Sequence, residues 1–258
     1  MTGVVRLGKS IHASREDLFR YCATTQGLER WYADRVTGRV ARGSEIRLEW
    51  SELGAGVDLR VTEVIQNESV VFENGESRLT LRFGDGTISL LHEGPDVAND
   101  VPGFESSWQV ALAVLAHALT VHGGRPRRTR WVTRPARTSA SRAHVCFTEP
   151  EALSRWFGHN AWIGAEGEEY ELELADGEAM QGTVLARVPG RDVAYVWEDR
   201  GDSVLVMRTL PLTTPGERLV ALCWSQWTKE TPDEDHVLLG LERALERLAL
   251  VLAQSGDA

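Results

Sequence analysis

The chain repeats itself. Leu28, Arg30, Trp31 and Tyr32 return as Leu153, Arg155, Trp156 and Phe157, a step of 125 residues in a chain of 258. Gly43, Glu45, Ile46, Leu48 and Glu49 return at a step of 124 as Gly167, Glu169, Tyr170, Leu172 and Glu173. Self-similarity at half the chain length calls for one architecture built twice. Each half, at about 125 residues, is long enough to bury roughly two thirds of its surface. Two domains are therefore predicted, residues 1–122 and 123–258, joined over residues 123–130.

Both halves contain the same parts in the same order. In the first, period-two alternation marks strands at residues 4–11, 45–50, 57–64, 70–72, 79–83 and 87–92, with Ile46, Leu48 and Trp50 on one face and Glu45, Arg47 and Glu49 on the other. Gly84-Asp85-Gly86 reads as a tight hairpin turn, so the sheet is predicted to be antiparallel. Ser14 followed by Asp17 is a helix start, opening a helix over residues 14–23. Each half then closes on a long amphipathic helix. In the first, Phe104, Trp108, Ala111, Leu112, Leu115, Ala118 and Leu119 form the apolar stripe; in the second, Val237, Leu238, Leu241, Leu245, Leu248 and Leu252 form it, opposite Glu242, Arg243, Glu246 and Arg247.

Composition narrows the function classes. The formal net charge of −10 argues against a general nucleic-acid binder, whose footprint is a basic surface. The charge is uneven: 12 basic against 17 acidic residues leave 1–122 at −5, the seven Arg and no acid of 123–142 give +7, and 9 basic against 21 acidic leave 143–258 at −12. The Arg-rich stretch, with Trp131 inside it, is read as a linker and first strand lying against acidic faces such as that of Glu169, Glu171 and Glu173, rather than as a nucleic-acid patch. Cys22, Cys146 and Cys223 are odd in number and widely spaced, which fits neither a disulfide framework nor a zinc site. With no leader-like opening segment, a cytoplasmic protein is expected, and Asn67-Glu68-Ser69 then carries no weight as a glycosylation acceptor. Residues 106–124 lack Asp, Glu, Lys and Arg, but Gln109, His117, Thr120 and His122 interrupt them, so no membrane insertion is expected.

Residues 13–32 (ASREDLFRYCATTQGLERWY), 61–72 (VTEVIQNESVVF), 87–94 (TISLLHEG) and the helix at 103–119, with 141–157 (SRAHVCFTEPEALSRWF) and the final helix in the second half, resemble the START-like superfamily. The branch they are most similar to is the family of the C-terminal domain of the activator of Hsp90 ATPase. The resemblance implies an α+β chain of two tandem helix-grip domains, each a curved antiparallel sheet wrapped around a long C-terminal helix. Such a fold often holds a cavity between sheet and helix for an apolar small molecule; some relatives are cyclases or other enzymes acting there, and others only bind or carry. The co-chaperone's N-terminal domain has no counterpart in this chain, so a chaperone partner is without support.

No catalytic motif is present. The seven histidines, His12, His92, His117, His122, His144, His159 and His236, form no HExxH pair, and His144-x-Cys146 lacks the Glu and CxxC of a zinc deaminase. No GxSxG, Walker or GxGxxG pattern occurs, so neither a metal nor a nucleotide cofactor is expected. His92 with Glu93 offers a general-base pair near the cavity mouth, against the plainer reading of a solvent-facing strand end. His117 offers a polar anchor in the cavity, against a satisfied histidine at the stripe's edge. Trp31 and Trp156 either cap ligand pockets or plug the cores.

The predicted function is binding of a hydrophobic small molecule between sheet and terminal helix, with no chemistry assigned. A cyclase- or dehydratase-type enzyme and an Hsp90-activator-like interaction module are the alternatives. Trp31, Trp50, Phe72, Trp108, Leu112 and Leu115 are the predicted lining. The small Ala111 and Ala118 predict space in the first domain, while Tyr170, Tyr195, Trp197, Met207 and Trp224 predict a filled second domain.

Overall fold

The computed structural model describes residues 2–227 and 233–254. The chain divides into two compact units, Met1–Arg127 and Arg128–Ala258. The first unit runs β1 (Gly3–Ser10), α1 (Arg15–Cys22), α2 (Thr25–Glu29), β2 (Arg35–Gly38), β3 (Glu45–Trp50), β4 (Ala55–Ile65), β5 (Ser69–Asn74), β6 (Ser77–Gly84), β7 (Thr87–Gly94), α3 (Pro95–Asn99) and α4 (Val101–Thr120). The second runs β8 (Arg128–Arg137), α5 (Ala140–Thr148), α6 (Pro150–Leu153), β9 (Gly158–Ile163), β10 (Glu169–Leu174), β11 (Ala179–Arg187), β12 (Val193–Trp197), β13 (Ser203–Pro211), β14 (Glu217–Gln226) and α7 (Glu234–Gln254).

Each unit is one antiparallel sheet of seven strands, ordered β1-β7-β6-β5-β4-β3-β2 and β8-β14-β13-β12-β11-β10-β9. The first strand of each unit pairs with the last, so every connection after the two short helices is a meander between neighbours. A long helix then follows. This is the helix-grip arrangement, twice, in an α+β chain.

Local chemistry accounts for the elements. Ser14 Oγ accepts from the Asp17 N–H at 3.1 Å and donates to its carboxylate at 2.6 Å, which fixes the start of α1. Thr24 does the same for α2 through the Gly27 N–H at 3.0 Å. Gly84 pairs with Thr87 across the β6–β7 turn, and Gly86 takes φ +69, which a side chain resists. β2 is not visible in the sequence pattern because it is a four-residue edge strand burying Val36 alone, too short to show alternation. α7 buries Val237, Leu241, Ala244, Leu245, Leu248 and Leu252, the expected stripe with Ala244 added and Leu238 partly buried beside it.

The Arg-rich segment differs from expectation in its partners. Arg128 and Arg130 both reach Glu234 at 2.7 Å, and Arg134 reaches Glu246 at 3.1 Å, so the acidic face involved is that of α7 and not that of Glu169, Glu171 and Glu173. β8 pairs residue by residue with β14 from Arg128 to Arg137, which puts these side chains beside the terminal helix. Arg127, the last residue before β8, is anchored to the first unit. Its guanidinium, 5% exposed, donates to the Trp31 carbonyl at 2.6 Å and the Ala33 carbonyl at 3.0 Å.

Among the described residues, no helix is long and apolar enough to cross a membrane.

Candidate functional site

The repeated tryptophans hold equivalent places. Trp31 Nε1 donates to the Tyr21 carbonyl at 3.1 Å and Trp156 Nε1 to the Cys146 carbonyl at 2.8 Å, each ten residues upstream. Both are buried, and each leans on the aromatic residue that follows: Trp31 on Tyr32 at 5.1 Å, Trp156 on Phe157 at 5.0 Å. Their own carbonyls are also served alike, Trp31 by Arg127 and Trp156 by Arg247 Nε at 2.7 Å. These are core plugs that bind two short helices to the sheet. The residue after each plug also borders a cavity, Tyr32 together with Trp31 in the first unit and Phe157 in the second.

The two units part there. In the first, Tyr32 stacks flat on Trp108, with rings 5.0 Å apart and 13° between planes, and Trp50 meets Tyr32 edge-on at 5.6 Å. A cavity of about 10 Å³ beside this stack is lined by Trp31, Tyr32, Phe72 and Trp108 among others, no more than a single water needs. Of the six predicted lining residues, Trp31, Phe72 and Trp108 border this remnant; Trp50 is half-buried with its N–H on the Tyr32 carbonyl at 3.1 Å; Leu112 and Leu115 are buried away from it.

In the second unit a cleft of about 260 Å³ opens between α7 and the β10–β11 hairpin. Phe157, Leu174, Trp197, Val237, Leu241 and Ala244 give it an apolar floor. Against the expectation of space in the first domain and a filled second, the larger of these two cavities lies in the second unit. Tyr170, Tyr195, Trp197, Met207 and Trp224 are all buried as anticipated, but summed side-chain volume missed where that volume lies. The stripes Phe104, Trp108, Ala111, Leu112, Leu115 and Val237, Leu241, Ala244, Leu245, Leu248 share one spacing. By that spacing Leu241 corresponds to Trp108; the indole is stacked on Tyr32, while Leu241 and Phe157 border the open cleft.

Polar groups ring the open mouth. Glu178 is clasped by Arg200, Nε to Oε1 at 3.0 Å and Nη2 to Oε2 at 2.7 Å, and that guanidinium lies 5.6 Å over the Trp197 ring. Asp176, in the hairpin turn, lies 3.2 Å from His236 Nε2 on α7. Burial works to raise the Asp176 carboxyl, but the Glu178 N–H and His236 outweigh it and hold it below the usual carboxylate range. Arg243 and Arg247 complete the rim. None of these mouth residues was singled out as a site by sequence; the only signal was that His236, Gly240, Arg243 and Arg247 recur at helical spacing beside the α7 stripe.

The histidine readings resolve separately. His92 and Glu93 do not pair, because neighbours on a strand point to opposite faces; instead His92 Nδ1 accepts from Trp108 Nε1 at 3.0 Å. Burial lowers the His92 pKa, against the pull of Asp96. His117 is buried and faces His122, Nε2 to Nε2, at 3.2 Å. Among the described residues, no three His, Cys, Asp or Glu side chains gather as they would around a metal ion.

No protein-family model matches the chain, and no curated protein does. Solved structures resemble it at low identity. The di-domain ARO/CYC StfQ from the steffimycin biosynthetic pathway aligns over 98% of this chain and 100% of its own, at 10% identity and a TM-score of 0.45. DynU16, from the dynemicin biosynthetic locus, aligns over 97% of both chains at 16% identity and a TM-score of 0.40. The Aha1 dimer from Colwellia psychrerythraea aligns over 47% of this chain and 97% of its own, at 21% identity and a TM-score of 0.37.

Proposed function

We propose that the chain binds a small, largely apolar molecule, and that the cleft of the second unit is where it does so. The observation that carries this reading is the open volume of about 260 Å³ under α7, against about 10 Å³ in the cavity that Tyr32 and Trp108 border in the first unit. An apolar floor with a few polar groups at its rim is the usual composition of a ligand site. Binding would draw on removing apolar surface from water, with the rim fixing orientation. The interaction-module alternative expects filled cavities in both units, and the open cleft favours binding over it.

Leu241→Trp tests the reading by placing in α7 the indole that closes the first unit. The intact chain, titrated with the uncharged fluorophore N-phenyl-1-naphthylamine, is expected to bind saturably, and Leu241→Trp to lose that binding while its urea midpoint shows it folded. Ala244→Leu narrows the same cleft with less overpacking and is expected to weaken binding. Undiminished binding by both folded variants would overturn the assignment.

A further inference from the structure

Three glycines lie inside the described α-helices, and two of them have a packing reason. A Cβ on Gly27 would stand 2.2 Å from the Arg20 carbonyl oxygen, and one on Gly103 would stand 2.3 Å from Asp100 Oδ2. Gly240 differs. Among the described residues nothing lies within 4 Å of its Cβ position, its φ is not positive, and it sits in the second turn of the 21-residue α7, bordering the cleft. Inside a helix only proline is a poorer choice than glycine, since glycine loses the most backbone freedom on folding. Neither crowding nor backbone geometry asks for it here. What Gly240 supplies is a bare patch of helix backbone, of the kind that lets a bound molecule approach the main chain closely.

The surroundings of that patch limit what fits. Phe157 and Trp197 border the same space, and aromatic faces favour planar partners. The carboxylates of the hairpin wall are already engaged, Glu178 with Arg200 and Asp176 with His236. Arg243, one turn beyond Gly240, is exposed and makes no ion pair or hydrogen bond among the described residues, and Arg247 commits only its Nε, to the Trp156 carbonyl. The uncommitted charge at the mouth is therefore positive.

Resting on the binding reading above, we infer that Gly240 determines which ligands the cleft admits, and that the ligand class is a flat, ring-containing molecule with one anionic group. The ring system lies against the α7 backbone at Gly240, and the anion meets Arg243.

The test uses the full chain and two probes of nearly the same body: 1-anilinonaphthalene-8-sulfonate, with one sulfonate, and N-phenyl-1-naphthylamine, without it. Gly240→Ala and Gly240→Leu should keep or raise the urea midpoint, because both residues are better helix formers. Affinity for both probes should nevertheless fall, several-fold for Gly240→Ala and about tenfold or more for Gly240→Leu. Arg243→Gln should weaken the sulfonate probe about tenfold and leave the uncharged one within about twofold. If the wild-type chain binds neither probe, the binding reading falls and this inference with it. If the wild type binds and a folded Gly240→Leu or Gly240→Ala binds equally well, the cleft stands and the role of Gly240 is overturned. Equal losses of both probes in Arg243→Gln overturn the anionic assignment.

Discussion

Trp31 and Trp156 mark both the reach and the limit of what spacing along a chain reveals about one side chain. Their repetition at a step of 125 exposes the duplication. Their role as core plugs instead of pocket caps depends on something periodicity does not carry, the direction of the indole N–H. In both units it turns inward to a main-chain carbonyl that would otherwise be buried without a donor. Trp31→Phe and Trp156→Phe are each expected to destabilise the chain by about 1–3 kcal/mol, the range for orphaning a buried hydrogen-bonding group. Urea denaturation checks this, and a loss well under 1 kcal/mol in both would mean that water reaches those carbonyls and that the plugs are held by packing alone.

At the level of elements, the long helices were legible as helices and their stripes as stripes, because a 3.6-residue period survives any detail of packing. The cavity between helix and sheet was not legible, because it turns on which ring meets which across the gap. Trp108 against Tyr32 closes one site, and the same spacing with Leu241 and Phe157 leaves the other open. Trp108 has a second attachment, its N–H to His92 Nδ1, which clasps α4 to β7 and requires that nitrogen to be unprotonated. Burial lowers the folded-state pKa of His92 below the 6.5 of an unfolded chain. Between those two values the unfolded state binds more protons, so the stability that the neutral ring contributes is complete above pH 6.5 and is lost as pH falls through the folded-state value. His144 is lowered as well, by burial and then by Arg187, and adds its own acid sensitivity. The test is therefore a difference: urea midpoints of wild type and His92→Gln, which keeps a neutral acceptor, compared between pH 8 and pH 5. The wild type should lose more stability on acidification than the variant. Parallel pH profiles would remove His92 from the account.

At the scale of the whole molecule, the antiparallel sheets, the closing helices and the doubling were all readable from alternation, turn glycines and the repeat. The join was legible in part. Seven arginines without an acid in residues 123–142 read as a linker and first strand, and Arg128 to Arg137 are a strand of the second unit, while Arg127 is held by carbonyls of the first. Side chains bound this way do not thread easily into a protease, and residues 128–137 are spanned by ladder bonds to β14. Each seven-stranded sheet draws every strand from its own half of the chain, with its own terminal helix. Expressed separately, residues 1–127 and 128–258 are expected each to show a cooperative thermal transition by circular dichroism. A cut one strand later should behave differently. Residues 138–258, which lack β8, leave an unpaired edge along β14 and remove the arginines that meet Glu234 and Glu246 on α7, so that fragment should lose its cooperative transition or aggregate. If 138–258 melts as sharply as 128–258, β8 is dispensable and the second unit begins later than its sheet implies. If 1–127 and 128–258 are both unfolded alone, the two halves do not fold as separate domains.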